Sequence, residues 1–324
     1  MDTVTASRHA QRASLRHPAD ALARASIGAV PILWRNLGVT DAATVLDEIA
    51  RIGFEGTQFG TGFPEGAGLR DELAGRDLRL AEVYLPIPAT VDGPSADAMD
   101  IARVHVTRLH DGGGDVLCAA IDGSSDRDAT AGRADGAPTP VFTDAAWAAL
   151  VALLHDIADA AAALGHRTAF HPHAGTFIET PAEIDRLVTS TDPARIGICL
   201  DVGHHIVGGG DPVADLGTLG DRVTHLHLKD VNPDVLDDLR AGRFSGVGEA
   251  VQNGLFTELG AGTLDLDGVI EALIERDYDG WLMVEQDRGF GPPSESAAIG
   301  RRVLGAALRR LGGRPLTARA EAAG

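Results

Sequence analysis

Several short apolar runs in this 324-residue chain end in side chains able to hold a metal ion. Ile196 to Leu200 leads into Asp201, His204 and His205, and Val223 to Leu228 carries His225 and His227 just before Lys229 and Asp230. His171 and His173 flank Pro172 after a third run, and Glu285 closes a fourth, Trp281 to Val284. Carboxylate oxygen and imidazole nitrogen without thiolate suit an octahedral Mn, Co or Mg site, or a borderline Zn site. One further carboxylate would complete four protein ligands, and Glu179 is the nearest supply. Structural roles compete at each position. A strand-end Asp or Glu often caps the following helix, and of the adjacent pair His204 and His205 only one should face a cavity. Strand alternation puts His225, His227 and Lys229 on one side. Lys229 is thus a candidate electrophile or proton donor, with Asp230 as its structural alternative, and His225 could simply fill a barrel layer.

The elements that must carry these residues are short apolar runs alternating with helical spacing. Strands are expected at Ile27 to Leu33, Phe54 to Phe59, Leu78 to Leu85, Val116 to Ile121, Thr168 to Phe170, Ile196 to Leu200, Val223 to Leu228 and Trp281 to Val284. Helices are expected at Asp41 to Ile52, Leu69 to Arg76, Ser95 to His110, Asp144 to Leu164, Pro181 to Val188, Pro212 to Leu219 and Leu266 to Arg276, with Asp144 as an N-cap and Gly165 as a stop. Eight strands interleaved with helices predict a single α/β (β/α)8 TIM barrel over residues 26–312, with chemistry at the carboxyl ends of the strands. Long loops are expected at 122–143, exposed, and at 230–258, with a leader at 1–25 and a tail at 313–324. Gly208 to Gly210 has no following lysine and is weak evidence for a phosphate loop.

Charge narrows the partners. With 47 acidic against 28 basic residues the net charge is −19, which would repel nucleic acid and anionic membrane surfaces. Cys118 and Cys199 sit inside apolar runs and form no paired zinc motif, which fits a reducing, cytoplasmic setting.

Taken together, the segments Trp34-Arg35-Asn36, Phe54 to Gly60, His171 to Thr176, Leu200 to His204, His225 to Asp230, Leu259 to Asp265 and Gly280 to Asp287 resemble the sugar phosphate isomerase/epimerase group with its xylose-isomerase-like TIM barrel. Within it they look most like the inosose (2-keto-myo-inositol) dehydratases, and like related lyases that cleave 3-keto-glycosides and C-glycosides. The resemblance implies that Asp201, His227 and Glu285 bind a divalent metal, Mn foremost with Co, Mg or Zn as alternatives. Relatives often carry Glu where this chain has His171, and the dehydratases often carry Gln where it has Glu179; Glu179 is expected as the fourth ligand because a carboxylate is the better anionic donor.

Such a centre permits abstraction of a proton α to a carbonyl, followed by β-elimination. His171 or His173 is expected as the base, Lys229 or His204 as the group assisting the leaving oxygen, and Arg35, Trp34, Gln58 and His225 as substrate contacts. The expected substrate is a small keto-inositol, keto-sugar or 3-keto-glycoside. An oligomer is expected, with a second subunit conceivable against the long loops. A ketose 3-epimerase or isomerase is the alternative enzyme, and a non-catalytic sugar-binding subunit the alternative of another class.

Overall fold

The computed structural model describes residues 22–133, 138–289 and 291–312. Eight parallel strands close into a barrel: β1 (Ser26–Ala29), β2 (Gly56–Gln58), β3 (Arg79–Ile87), β4 (Val116–Ile121), β5 (Arg167–Phe170), β6 (Ile196–Asp201), β7 (Val223–Leu228) and β8 (Trp281–Val284). Each pairs with its sequence neighbours, and β8 closes on β1 with Ser26 opposite Trp281 and Ala29 opposite Val284. Strands buried on both faces explain the continuous apolar runs: β4 and β6 are buried at every position.

Helices α1 (Ala42–Ile52), α2 (Gly66–Ala74), α3 (Ala98–Gly112), α4 (Asp144–Ala162), α5 (Pro181–Ser190), α6 (Pro212–Leu219), α7 (Leu266–Glu275) and α8 (Pro293–Arg310) form the outer ring. Local chemistry sets their ends. Asp41 caps α1 by accepting from Thr44 N, and Gly53 ends it in the left-handed region at φ 93°. Thr180 and Glu183 form a reciprocal capping box on α5. The cap of α4 is Thr143, one residue before the expected Asp144. The sequence reading assigns no helix after Glu285, yet α8 completes the ring. Its buried face includes Ser296, Gly300 and Gly305 beside Leu304 and Leu308, so its apolar stripe is diluted by small residues.

Two other expectations need correction. The strand expected through Leu33 stops at Ala29, and Ile32–Asn36 is a short helix that carries Arg35 over the barrel mouth. The segment 230–258, expected as a long loop, contains regular elements. Asp230–Val231 pairs antiparallel with Phe256–Thr257, around short helices Pro233–Arg240 and Val247–Gln252. Leu236, Leu239, Val247, Leu255 and Phe256 pack there against Ala131 and Ala174, which joins this excursion to the loops after β4 and β5. The loop after β4 contains a short helix, Ser125–Asp128, while its residues 134–137 lie outside the described residues. Leu22 and Ala25, read as leader, are buried in the main core; residues 1–21 of that leader, and the tail from 313, lie outside the described residues.

The amino end of the barrel is plugged by Trp281, whose indole donates to Asp115 and lies under the Arg79 guanidinium, 4.3 Å from the ring centroid. Glycines make the room. A Cβ on Gly56 would sit 2.5 Å from the Trp281 ring and 2.7 Å from the Arg79 carbonyl, which cannot swing away. Gly56→Ala should therefore lower stability by about 1–3 kcal/mol through overpacking, read as a lower denaturant midpoint with an unchanged slope.

Candidate metal centre and catalytic pocket

Four neighbouring strands deliver four donors to one point. His171 directly follows β5, Asp201 ends β6, His227 lies in β7 and Glu285 follows β8, and a donor atom from each lies within 4.8 Å of the others. His171 Nε2 is 3.7 Å from Asp201 Oδ2, which is 3.8 Å from His227 Nδ1, itself 2.7 Å from Glu285 Oε2. Donors held at about 2.1 Å from one cation stand roughly 3 Å apart along the edges of their polyhedron, so this spacing suits such an ion with modest adjustment. Asp201 Oδ2, His227 Nδ1 and Glu285 Oε2 are all buried and, although charged groups stand close by, none makes a well-aligned hydrogen bond among the described residues, a costly arrangement unless something else satisfies them. Asp201 carries both roles weighed for it: Oδ1 caps the next short helix by accepting from His204 N at 2.9 Å, leaving Oδ2 for the cluster.

The electrostatics favour positive charge here. Burial alone would raise the pKa of Asp201, but Lys229, His204 and His171 outweigh it and hold the carboxyl well below its usual range. Burial likewise disfavours the Lys229 ammonium, yet Asp201, Asp287 and Glu285 hold it well above the ordinary lysine value. Lys229 Nζ lies 3.4 Å from Asp201, 3.0 Å from Glu285 and 2.9 Å from Asp287, with Phe256 of the β7 excursion closing its other side at 4.6 Å. Its protons are thus directed at carboxylates, which makes Lys229 an electrostatic anchor. It does not pair with Asp230, whose carboxylate accepts from the backbone N–H groups of Val231, Gly260, Gly262 and Leu264.

A cavity of about 540 Å³ opens over the cluster, lined in part by Arg35, Asn36, Gln58, Tyr84, His171, His173, His227, Glu285 and Asp287. His173 turns Nδ1 to the Ala174 carbonyl at 2.7 Å. Burial first, then His171 and Lys229, push His173 down to about 3, so its ring is neutral. His204 does not line the cavity. Its ring stacks on His173 with centroids 3.6 Å apart, and its Nε2 is 3.1 Å from Lys229 Nζ, so it supports His173 from below. His205 pairs with Asp215 at 2.6 Å, on the other side.

Besides His204, three expected site residues are placed elsewhere. Glu179 is not in the cluster: its two oxygens accept from Gly132 N at 2.7 Å and Gly175 N at 2.9 Å, with Arg127 at 3.8 Å. This carboxylate ties the loops after β4 and β5 together, while His171 supplies the fourth donor. Trp34 is buried in the core and donates its indole N–H to Glu48 at 2.6 Å, away from the cavity. His225 lies under the cluster, 2.8 Å from Glu82, without reaching the cavity. Gly208 and Gly210 serve packing, since a Cβ would meet the Glu179 carbonyl at 2.4 Å and the His205 ring at 2.1 Å. The sequence reading missed Glu82 and Asp287. A charged residue inside the apolar run of β3 was the available signal for the first, and a position two residues beyond Glu285 for the second. Glu179→Gln should keep a full metal complement yet lower stability by about 1–3 kcal/mol, whereas Asp201→Asn should lose the metal; elemental analysis alongside chemical unfolding separates the two.

Comparison with known proteins agrees with this architecture. Residues 46–307 match the family described as the xylose isomerase-like TIM barrel. An inosose dehydratase of Lactiplantibacillus plantarum is 34% identical over 289 residues, covering 86% of this chain and 94% of that protein. One of Lacticaseibacillus casei is 32% identical over 294 residues, covering 87% and 97%. Among solved structures, an IolI protein with a bound zinc atom superposes with a TM-score of 0.66 at 12% identity, covering 88% of this chain and 99% of that one, a likeness of fold alone. Barrel, strand-end donors and sequence similarity together show that the chain belongs to the xylose isomerase-like TIM barrel family.

Proposed function

We propose that this chain is a divalent-metal-dependent dehydratase of a cyclic keto-polyol such as inosose, with His171, Asp201, His227 and Glu285 as the metal ligands. The observation that carries the reading is the set of buried donor atoms, without well-aligned hydrogen bonds of their own, converging beneath a polar cavity. The resemblance to inosose dehydratases over most of the chain supports the substrate class. Two imidazoles with two carboxylates are borderline donors that suit Mn, Co or Zn better than Mg.

When bound, the cation would polarise the ketone and stabilise the negative charge spreading from the α carbon. His173 then accepts the α proton. Its Nδ1 is engaged with Ala174, which leaves the Nε2 lone pair for the cavity, and the stacked His204 ring fixes its orientation. A base held near 3 demands a strongly acidified carbon, so proton removal and charge stabilisation act together. Arg35, Asn36 and Gln58 on the cavity wall bind hydroxyls. As the new C=C bond forms, the β carbon–oxygen bond breaks and the oxygen leaves as water, carrying the proton that His173 took from the α carbon, so that the imidazole returns to its neutral form. The net change is loss of one water, with no oxidant. Lys229 holds Asp201 and Glu285 ionised and anchors all three carboxylates in place through the cycle. The two buried free thiols, Cys118 and Cys199, fit a reducing cytoplasmic setting for this chemistry.

The cavity volume lies within the range of pockets that enclose drug-sized ligands, so a 3-keto-glycoside with a second ring is the alternative substrate it admits.

With Mn or Co loaded, 2-keto-myo-inositol should lose water and develop enone-type absorbance, and chelation should abolish this. Deuterium uptake from solvent with no new unsaturation would instead establish an epimerase. Replacement of the base, His173→Asn, should lower kcat by about 10²- to 10⁴-fold with metal content unchanged; retention of turnover would move the base elsewhere.

A further inference from the structure

Glu82 takes no part in the chemistry above, although it is a fully buried carboxylate in the middle of barrel strand β3. Its oxygens lie 3.0 and 3.2 Å from His227 Nε2, accept from Gln58 Nε2 at 2.9 Å, and stand 2.8 Å from His225 Nε2. Carboxylates stand at both ring nitrogens of His227, Glu82 at Nε2 and Glu285 at Nδ1; a cation taken up between Nδ1, Asp201 and Glu285 would replace the proton on that side and leave the one at Nε2, facing Glu82. The other nitrogen, Nδ1, is the one that points at Asp201 and Glu285.

We infer that Glu82 is a positioning residue for the metal centre: it locks His227 in its Nε2-protonated form and so aims the Nδ1 lone pair at the cation. Resting on the metal-site reading above, the inference adds that the two imidazole ligands bind through different nitrogens. His171 directs Nδ1 to the Pro172 carbonyl at 2.9 Å and therefore presents Nε2, whereas His227 presents Nδ1. Glu82 also places a third carboxylate behind a ligand set that itself contains two. Through Gln58 it fixes part of the cavity wall as well, linking metal geometry to substrate contact. Carboxylate partners of this kind orient ligating imidazoles and raise their basicity.

The deciding experiment uses the unaltered chain with ¹⁵N-labelled histidine, loaded with ¹¹³Cd, and reads metal–nitrogen couplings by NMR. One imidazole coupled through Nε2 and one through Nδ1 is the expected pattern. Two imidazoles coupled through Nε2 would overturn the role of Glu82 while leaving the metal site standing. No coupling to any imidazole would overturn the metal site itself, and this inference with it. In parallel, Glu82→Gln should weaken Co(II) binding roughly 10- to 100-fold and shift its d–d absorption, with an unchanged far-ultraviolet spectrum. Full affinity and an unaltered Co(II) spectrum, with only a lowered unfolding midpoint, would reduce Glu82 to a structural carboxylate. Should that variant not fold, the couplings in the unaltered chain decide.

Discussion

Four carboxylates, those of Glu82, Asp201, Glu285 and Asp287, are gathered at one end of the barrel with little or no exposure to water. Buried like charges cannot remain ionised together unless positive charge or donated protons meet them. Lys229 answers part of this demand by reaching three of the four, and His227 stands between Glu82 and Glu285 with one carboxylate at each ring nitrogen. What remains is a set of donor atoms turned to a common point. The carboxyl end of the barrel is thus an electrostatic arrangement whose donor set could hold a cation.

The rest of the molecule supports that arrangement from below and above. Below, the apolar layers and the Trp281 plug set the spacing of strands β5 to β8, and so the separation of their terminal side chains. Above, the excursion after β7 brings Phe256 down onto Lys229 and His204, excluding water where the ion pairs need a low dielectric. Glu179 and Arg127 pin the loop after β4 in the same layer, with Arg127 also gripping Glu183 through both oxygens. Buried charge far from the metal cluster thereby holds loops around the cavity.

Much of this was legible in the amino-acid order. Alternating apolar runs and helical spacing predicted the eight strands, and Asp201, His227 and Glu285 stood out because each ends or interrupts a run that is otherwise apolar. Other features escaped for physical reasons. α8 packs through glycine, serine and alanine, which carry little hydrophobic signal. Trp34 shares a segment with the cavity residue Arg35, but side-chain direction on a single short helix sends one into the core and the other over the mouth. Glu82 lay in plain view inside β3, yet its partners are 143 and 145 residues away in β7, beyond the reach of any local pattern.

The sequence by itself determined the strands, most of the helices and the kinds of donor available, because periodicity and residue chemistry are local properties. Which carboxylate serves the cluster was decided only by the tertiary structure. Glu179 and His171 are close in the chain, but closure of the barrel turns His171 inward beside Asp201, while the loop after β4 folds over Glu179 and satisfies it with backbone N–H groups. A carboxylate's worth as a ligand depends on whether its oxygens are already engaged, and that is a property of the space around it.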